Sequence, residues 1–93
     1  MRFEITYVDS YADCDSISAE EDEMFYIPSF DDIYRPCGGG EILDDDGEVV
    51  EGDITLYRNV TYVLRGTTLY AIVGRRGKEI PWDEYDPDYG SRF

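Results

Sequence analysis

The 93-residue sequence contains no histidine and only two cysteines, Cys14 and Cys37. Histidine is a frequent general base and metal ligand, and zinc is usually held by several Cys and His side chains together. The composition therefore argues against a zinc site and against His-dependent catalysis. We expect a protein that is not an enzyme and has no cofactor. Two isolated cysteines in a reducing cytosol are typically thiols, although the sequence leaves open whether these two pair.

Long apolar segments are also absent. No run approaches the roughly 20 apolar residues that a membrane-spanning helix needs. The first residues, Met1-Arg2-Phe3-Glu4-Ile5, lack the extended apolar stretch of a secretory signal peptide and include an acid. We therefore expect a cytoplasmic protein that does not enter a membrane.

Basic residues are scarce, with 8 Lys and Arg against 22 Asp and Glu and a net charge of -14. Such a charge on so short a chain produces strong self-repulsion, so stability alone does not explain the composition. Nucleic acids and anionic membranes would repel the chain, which argues against direct binding to either. Hydrophobic residues still make up 42% of the sequence, which is enough to predict a folded domain spanning residues 1-93.

The charges are segregated along the chain. Residues 1-53 contain 17 acidic and 2 basic residues, whereas residues 54-82 contain 1 acidic and 5 basic residues. The basic residues of this second segment are Arg58, Arg65, Arg75, Arg76 and Lys78. We expect intramolecular pairing to neutralise part of this basic strip, including Arg75 and Arg76, and to leave a surplus of carboxylates for a basic partner.

Two β-hairpins are predicted from turn chemistry. The runs Val60 to Leu64 and Leu69 to Val73 are rich in β-branched and aromatic residues, and Arg65-Gly66-Thr67-Thr68 joins them as a turn. Asp44-Asp45-Asp46-Gly47 ends in an Asp-Gly pair that is typical of a tight turn. It lies between Glu41 to Leu43 and Glu48 to Val50, which form the second, acidic hairpin.

Other segments are predicted from periodicity. Phe3, Ile5 and Tyr7 alternate with polar residues, which indicates a strand with these three side chains on one face. Lys78 to Trp82 forms a further strand with Ile80 and Trp82 directed inward, and Pro81 places it at a sheet edge because proline has no N-H to donate.

The sequence also contains short helix-forming patterns, which are weaker than the strand patterns. Ser18 and Glu21 match a capping box, which predicts a short helix from Ala19 to Tyr26, and Ser29 to Tyr34 has the pattern of a single helical turn. Three consecutive glycines, Gly38 to Gly40, predict an irregular segment. The fold class expected from these elements is α+β, mostly β: a small antiparallel sheet of four to five strands, one short helix and irregular acidic loops.

Two groups of residues are candidates for partner binding. The acidic hairpin presents Glu41, Asp44, Asp45, Asp46, Glu48 and Glu51, which we expect to form an evenly spaced anionic row. The segment 83-93 is expected to be a flexible acidic and aromatic tail, and its candidates are Asp83, Glu84, Tyr85, Asp86, Asp88 and Tyr89. Carboxylates and rings imitate the phosphates and bases that single-strand-binding grooves recognise. Alternatively, the aromatic residues of the tail fold back over the sheet.

A calcium site is not expected in the acidic hairpin. An EF-hand register that places Gly47 at the sixth position puts Ile42 at the first, where an oxygen ligand is required. The aspartates are better explained as an exposed turn.

Three functions remain compatible with the charge pattern. The first is a non-enzymatic inhibitor that mimics nucleic acid and blocks the basic groove of a DNA- or RNA-binding enzyme. The second is an acidic adaptor or immunity-type protein that binds a basic protein without such mimicry. The third is an ordinary domain of a halophile, consistent with one Lys against seven Arg.

Size, acidity and nine tyrosines make the chain similar to small phage-encoded anti-CRISPR and anti-restriction inhibitors. This resemblance to a functional class implies a host defence nuclease or guide complex as the partner, and the host cytoplasm as the location. The first function is therefore our expectation.

Overall fold

The computed structural model describes residues 1-9, 18-28 and 36-85, and within these ranges the chain is mostly β. The elements are β1 (Arg2–Val8), β2 (Ser18–Glu20), β3 (Met24–Ile27), β4 (Pro36–Leu43), β5 (Val49–Tyr57), β6 (Val60–Arg65), β7 (Thr68–Val73) and β8 (Lys78–Pro81). These ranges contain no helix. The β-rich part of the expected fold class is therefore confirmed.

The strands form two antiparallel four-stranded sheets. Sheet I has the order β2-β1-β4-β5, and sheet II has the order β3-β6-β7-β8. The expected single sheet of four to five strands is thus wrong. The chain crosses from sheet I to sheet II at two tight turns, residues 21-23 between β2 and β3 and residues 58-59 between β5 and β6.

The helix expected from Ala19 to Tyr26 is not formed. Ala19 is buried and pairs with Phe3 of β1, and Asp22 has a φ of 66°, a left-handed conformation that ends a regular helix. Phe25 stacks against both Phe3 and Tyr62. Strand pairing and aromatic packing thus outweigh the local capping signal. The helical turn expected at 29-34 lies outside the described residues.

Both predicted hairpins are confirmed. In sheet II, Leu64 pairs with Leu69, and Gly66 in the connecting turn has a φ of 61°. In sheet I, Leu43 pairs with Val49, and Gly47 has a φ of 83°. Because a side chain disfavours these positive φ values, glycine at both positions suits the turns.

Gly38 to Gly40 lie in β4, so the irregular segment expected there is wrong. A Cβ atom on Gly40 would overlap the Phe3 ring, and one on Gly39 would overlap the Tyr7 ring. The glycines therefore let two aromatic rings lie directly on the strand. This packing compensates for the conformational entropy that glycine loses inside a strand.

Tyr7 does not share a face with Phe3 and Ile5 as the alternation predicts. The register shifts between Ile5, which pairs with Gly40, and Tyr7, which pairs with Gly39. Such a bulge reverses the side-chain direction that follows it. Tyr7 consequently lies on the outer face of sheet I and is 61% exposed.

The core lies between the two sheets. Its buried side chains come from both, with Phe3, Ile42, Ile54 and Leu56 from sheet I and Val60, Tyr62, Leu64, Leu69 and Ala71 from sheet II. The Tyr62 hydroxyl accepts a hydrogen bond from the Tyr57 backbone N-H at 2.7 Å, next to the turn between the sheets. Burial raises the pKa of Tyr62, so this hydroxyl stays neutral.

The edge position of β8 is confirmed, because β8 pairs only with β7 and carries Pro81. Trp82 and Tyr85 follow the strand and pack against the core cluster. Sheet I covers the inner face of sheet II.

We predict that Gly40→Ala lowers the free energy of unfolding by about 1–3 kcal/mol, because the new methyl group overlaps the Phe3 ring and the Glu4 carbonyl oxygen. Urea titration followed by tryptophan fluorescence measures the change. Gly52→Ala is the control, since its Cβ meets only Val49 Cγ1, at an ordinary 3.5 Å. Equal stability of the two variants would contradict the role given to Gly40.

Candidate acidic interface

Backbone pairing brings two acidic turns of sheet I to the same end of the molecule. Arg2 begins β1 and pairs with Glu20, the last residue of β2, and with Leu43, the last residue of β4. Leu43 in turn pairs with Val49, the first residue of β5. The turn after Glu20 and the turn at 44-48 therefore lie beside each other.

Sheet II holds one of these turns in place and adds a third segment to this end. The Asp22 backbone N-H donates to the Leu64 carbonyl oxygen at 2.7 Å, which fixes the turn at 21-23 against the end of β6. The Trp82 backbone N-H donates to the Leu69 carbonyl oxygen, and its indole N-H donates to Glu51 Oε1 at 3.3 Å. The segment after β8 thereby lies next to the acidic hairpin.

We call this region the acidic end. Its carboxylates are those of Glu20, Glu21, Asp22, Glu23, Asp44, Asp45, Asp46, Glu48, Glu51, Asp83 and Glu84. The acidic end also has three positive groups, the Met1 amine, Arg2 and Arg65. Eleven carboxylates and three positive groups give this end a net charge of -8.

Only some of these carboxylates are neutralised. The Met1 amine lies 3.0 Å from Glu21 Oε1 and 3.5 Å from Asp45 Oδ1, and these contacts raise the pKa of the amine. Arg65 binds Asp22. Within the described ranges, eight carboxylates of the acidic end form no ion pair. Two of these, Asp44 and Glu51, accept hydrogen bonds, and the other six are Glu20, Glu23, Asp46, Glu48, Asp83 and Glu84.

Asp44 has a structural role in the acidic hairpin. Its Oδ1 accepts hydrogen bonds at 2.9 Å from the backbone N-H groups of both Asp46 and Glu48. Aspartate commonly closes turns in this way. The outward charge of the hairpin therefore comes mainly from Asp45, Asp46 and Glu48, all of which are exposed.

Glu41 and Glu51 do not continue one row with the turn. Glu51 pairs with Ile42, whose side chain faces the core, whereas Glu41 pairs with Glu4 on the outer face of sheet I. The evenly spaced row expected from Glu41 to Glu51 is therefore not formed. Glu4 and Glu41 are like charges on directly opposite residues, an arrangement that destabilises a sheet. Arg2 contacts Glu4 Oε1 at 3.0 Å and offsets part of this repulsion.

Arg65 forms a network across sheet II. Its Nη1 lies 2.7 Å from Asp22 Oδ1, and its Nε and Nη2 each lie 3.1 Å from an oxygen of Glu79. The hydrogen bonds from Arg65 lower the pKa of Glu79, and those to Glu79 and Asp22 raise the pKa of Arg65. Part of the basic strip is thus neutralised within the molecule.

Arg75 and Arg76 lie at the other end of sheet II, in the turn that joins Val73 to Lys78. We expected an acidic segment to pair with them. In the part of the chain that the structure describes, neither arginine forms an ion pair. Acidic and basic groups are therefore separated along the strand direction.

The first residues of the tail divide into packed rings and exposed acids. The Tyr85 ring meets the Tyr57 ring edge-on at 5.6 Å, and Trp82 is half-buried. These rings fold back over the sheets, which is the alternative that the sequence left open. Asp83 and Glu84 are exposed. Asp86, Asp88 and Tyr89 lie outside the described residues, as does Cys14, while Cys37 is buried.

Sequence reasoning missed Glu20, Glu21 and Glu23 as part of the same cluster as the hairpin. It assigned them to the first turn of a helix, where acids have an ordinary explanation. The acidic run at 20-23 was visible, but its position beside Asp45 depends on pairing between β1, β2 and β4.

Two other features are absent from the described ranges. These residues include no group of three or more His, Cys, Asp or Glu side chains placed to hold a metal ion. They also include no helix long and apolar enough to cross a membrane.

No protein-family model matches the chain, and neither a curated protein nor a solved structure shows significant similarity to it.

We predict that Arg65→Gln raises the pKa of Glu79 toward 4.5, because it removes the hydrogen bonds that favour the ionised carboxylate. A depressed pKa in the folded state means that the pair stabilises the protein above the unfolded pKa. That contribution is lost as the pH falls through the folded pKa. Carboxyl chemical shifts in an NMR titration measure the change.

Arg76→Gln is the matched control, since it removes the same charge from the opposite end. The pKa of Glu79 should then stay depressed. A similar rise in both variants would mean that the overall charge, and not the Arg65 contact, sets this pKa.

Proposed function

We propose that the protein is a non-enzymatic inhibitor whose acidic end occupies the basic groove of a DNA- or RNA-binding enzyme. The supporting observation is that three separate acidic segments meet at one end of the described structure with few opposing charges. Their mutual repulsion does not help folding. A basic partner would relieve that repulsion on binding.

The net charge of the acidic end can be compared with that of a short DNA duplex. DNA carries one charge per roughly 1.7 Å of axis, so eight net charges correspond to about 14 Å of duplex. The described residues extend over 37 × 29 × 18 Å, so the acidic end is large enough to cover a groove of that length. Nucleic-acid mimicry thus requires no rearrangement of the described strands.

The clustering of acidic residues at one end of the described structure argues against the halophile alternative. Acids that hydrate a surface at high salt are needed over the whole surface, whereas the described basic turn at Arg75 and Arg76 is separate from the acidic end. An acidic adaptor remains a competitor because it too would use a clustered negative surface. A mimic must displace nucleic acid from the partner, whereas an adaptor need not, so a displacement assay distinguishes these two functions.

The resemblance to anti-CRISPR and anti-restriction inhibitors gives the proposal its partner class. A host defence nuclease or its guide complex holds DNA or RNA in a positively charged channel. We place the encounter in the cytoplasm of the host, where such enzymes act. Opposite charges make the association fast and sensitive to salt.

The test is a competition assay. The protein is titrated into a restriction endonuclease or a guide-loaded CRISPR effector that carries fluorescently labelled DNA, and fluorescence anisotropy measures release at about 0.15 M salt. We expect competitive release that weakens as salt rises. The triple variant Asp45→Asn, Asp46→Asn, Glu48→Gln should weaken release about 10-fold to 100-fold, because each exposed ion pair contributes about 0.5–1 kcal/mol. Asp44 is retained because it closes the turn.

The control changes three charges outside the acidic end, with Glu4→Gln, Glu41→Gln and Asp53→Asn. This control variant should retain most of the inhibition. If both variants weaken the release of DNA equally, the net charge of the protein, and not a defined contact surface, is responsible for inhibition. Binding without release of DNA would favour the adaptor, and unfolding below molar salt would favour the halophile.

A further inference from the structure

The outer face of sheet II carries a group of apolar side chains that the core does not use. Alternation directs Tyr62 and Leu64 inward, so Val63 of the same strand lies on the outer face, where its side chain is fully buried. Met24 pairs with Val63, Val63 with Tyr70, and Tyr70 with Pro81, which forms one row across all four strands. A second row contains Tyr26, Thr61, Ile72 and Glu79.

Several of these side chains contact solvent. Met24 is 58% exposed and Tyr26 is 49% exposed, although both are large, and Tyr70 and Ile72 are half-buried. We call Met24, Tyr26, Tyr70 and Ile72 the apolar face. Its edge strand, β3, has no neighbour on one side among the described strands. Val63 lies between Met24 and Tyr70 and is fully buried, so the most exposed members of the face are Met24 and Tyr26 on β3. Exposed apolar side chains grouped on one strand are a common feature of interaction sites.

The apolar face adjoins the acidic end. Met24 follows directly after Glu23, and Pro81 of the same row is followed by the turn that carries Asp83 and Glu84. An apolar centre with a charged rim is the usual composition of a protein interface. Here the whole rim on that side is negative, apart from Arg65.

The net charge of the chain favours a basic protein over a second copy of the chain as the occupant of this face. A second copy of the chain would bring another acidic rim against the first and add to a net charge of -14 on each molecule. A basic protein surface would instead complement the rim. The partner must also provide apolar or aromatic groups to cover Met24 and Tyr26.

Grooves that bind single-stranded nucleic acid combine these two properties. They have a positive surface that follows the phosphates and aromatic side chains on which bases stack. Duplex-binding grooves meet the phosphates and the base edges, because the base faces are hidden in the stack. An exposed apolar face beside a carboxylate cluster therefore imitates an unpaired strand better than a duplex.

We propose that the apolar face is the base-mimicking part of the interface, so that the partner is a protein that binds single-stranded nucleic acid. This inference rests on the proposed function, in which the carboxylates replace phosphates. The Met24 and Tyr26 side chains contact the aromatic residues of the groove, while Glu23, Asp83 and Glu84 meet its cations.

The test uses as probes two proteins that each carry a labelled nucleic acid. One is a single-strand-binding protein of the OB type with fluorescent oligo(dT), and the other is a helix-turn-helix repressor with labelled operator duplex. We expect release of oligo(dT) at a concentration at least about tenfold below that needed to release the duplex. Met24→Thr with Tyr26→Thr should raise the concentration needed for release of oligo(dT) by about tenfold, the scale of one lost stacking contact.

The control is Tyr7→Thr, which removes an exposed ring from the outer face of sheet I. Circular dichroism checks that each variant is folded, and the control should release oligo(dT) as the parent does. If both probes are released equally and the Met24 and Tyr26 changes have no effect, the inference fails while the proposed function stands. If neither probe is released, the inference fails, and the competition assay with the defence nuclease decides the proposed function separately. Sedimentation of a dimer that these two changes convert to a monomer would assign the face to a second copy.

Discussion

The packing of the Phe3 ring on Gly40 is the contact on which the two-sheet structure depends. Because glycine has no side chain, the ring lies against β4 and also stacks on Phe25 of the opposite sheet at 5.2 Å. Phe25 continues the stack to Tyr62 at 5.7 Å. One aromatic column thus joins β1, β3 and β6. It holds the segment from Ser18 to Ile27 in two short strands, although its local sequence favours a helix.

This column also explains where the charges lie. Once the apolar side chains meet between the sheets, the acidic residues are left at turns, on outer faces and on the segment after β8. The pairing of β1 with β2 and β4 brings two acidic turns together, and the bond between Trp82 and Glu51 brings the third segment beside them. The resulting repulsion is tolerated because these carboxylates remain in water, where charge interactions are weak.

The proposed function rests on the combination of this charge with the exposed side chains of sheet II. A carboxylate cluster alone would attract any basic protein, so it offers little discrimination between partners. Exposed Met24 and Tyr26 add a contact that depends on shape and on the chemistry of the partner. In the proposed function, these two features together imitate the backbone and the bases of a nucleic acid strand.

The sequence by itself determined the two hairpins, the edge position of Pro81 and the excess of acid, because each depends on residues close together in the chain. Alternation and turn residues identify Val60 to Val73 without any knowledge of the rest of the fold. Only the tertiary structure decided that Ala19 to Tyr26 is extended, that Gly38 to Gly40 form a strand and that Tyr7 faces outward. Each of these depends on a partner strand distant in sequence, whose packing outweighs local preferences that amount to about 1 kcal/mol or less per residue. The grouping of Glu20 to Glu23 with Asp45 has the same origin, since it arises from strand pairing and not from local sequence.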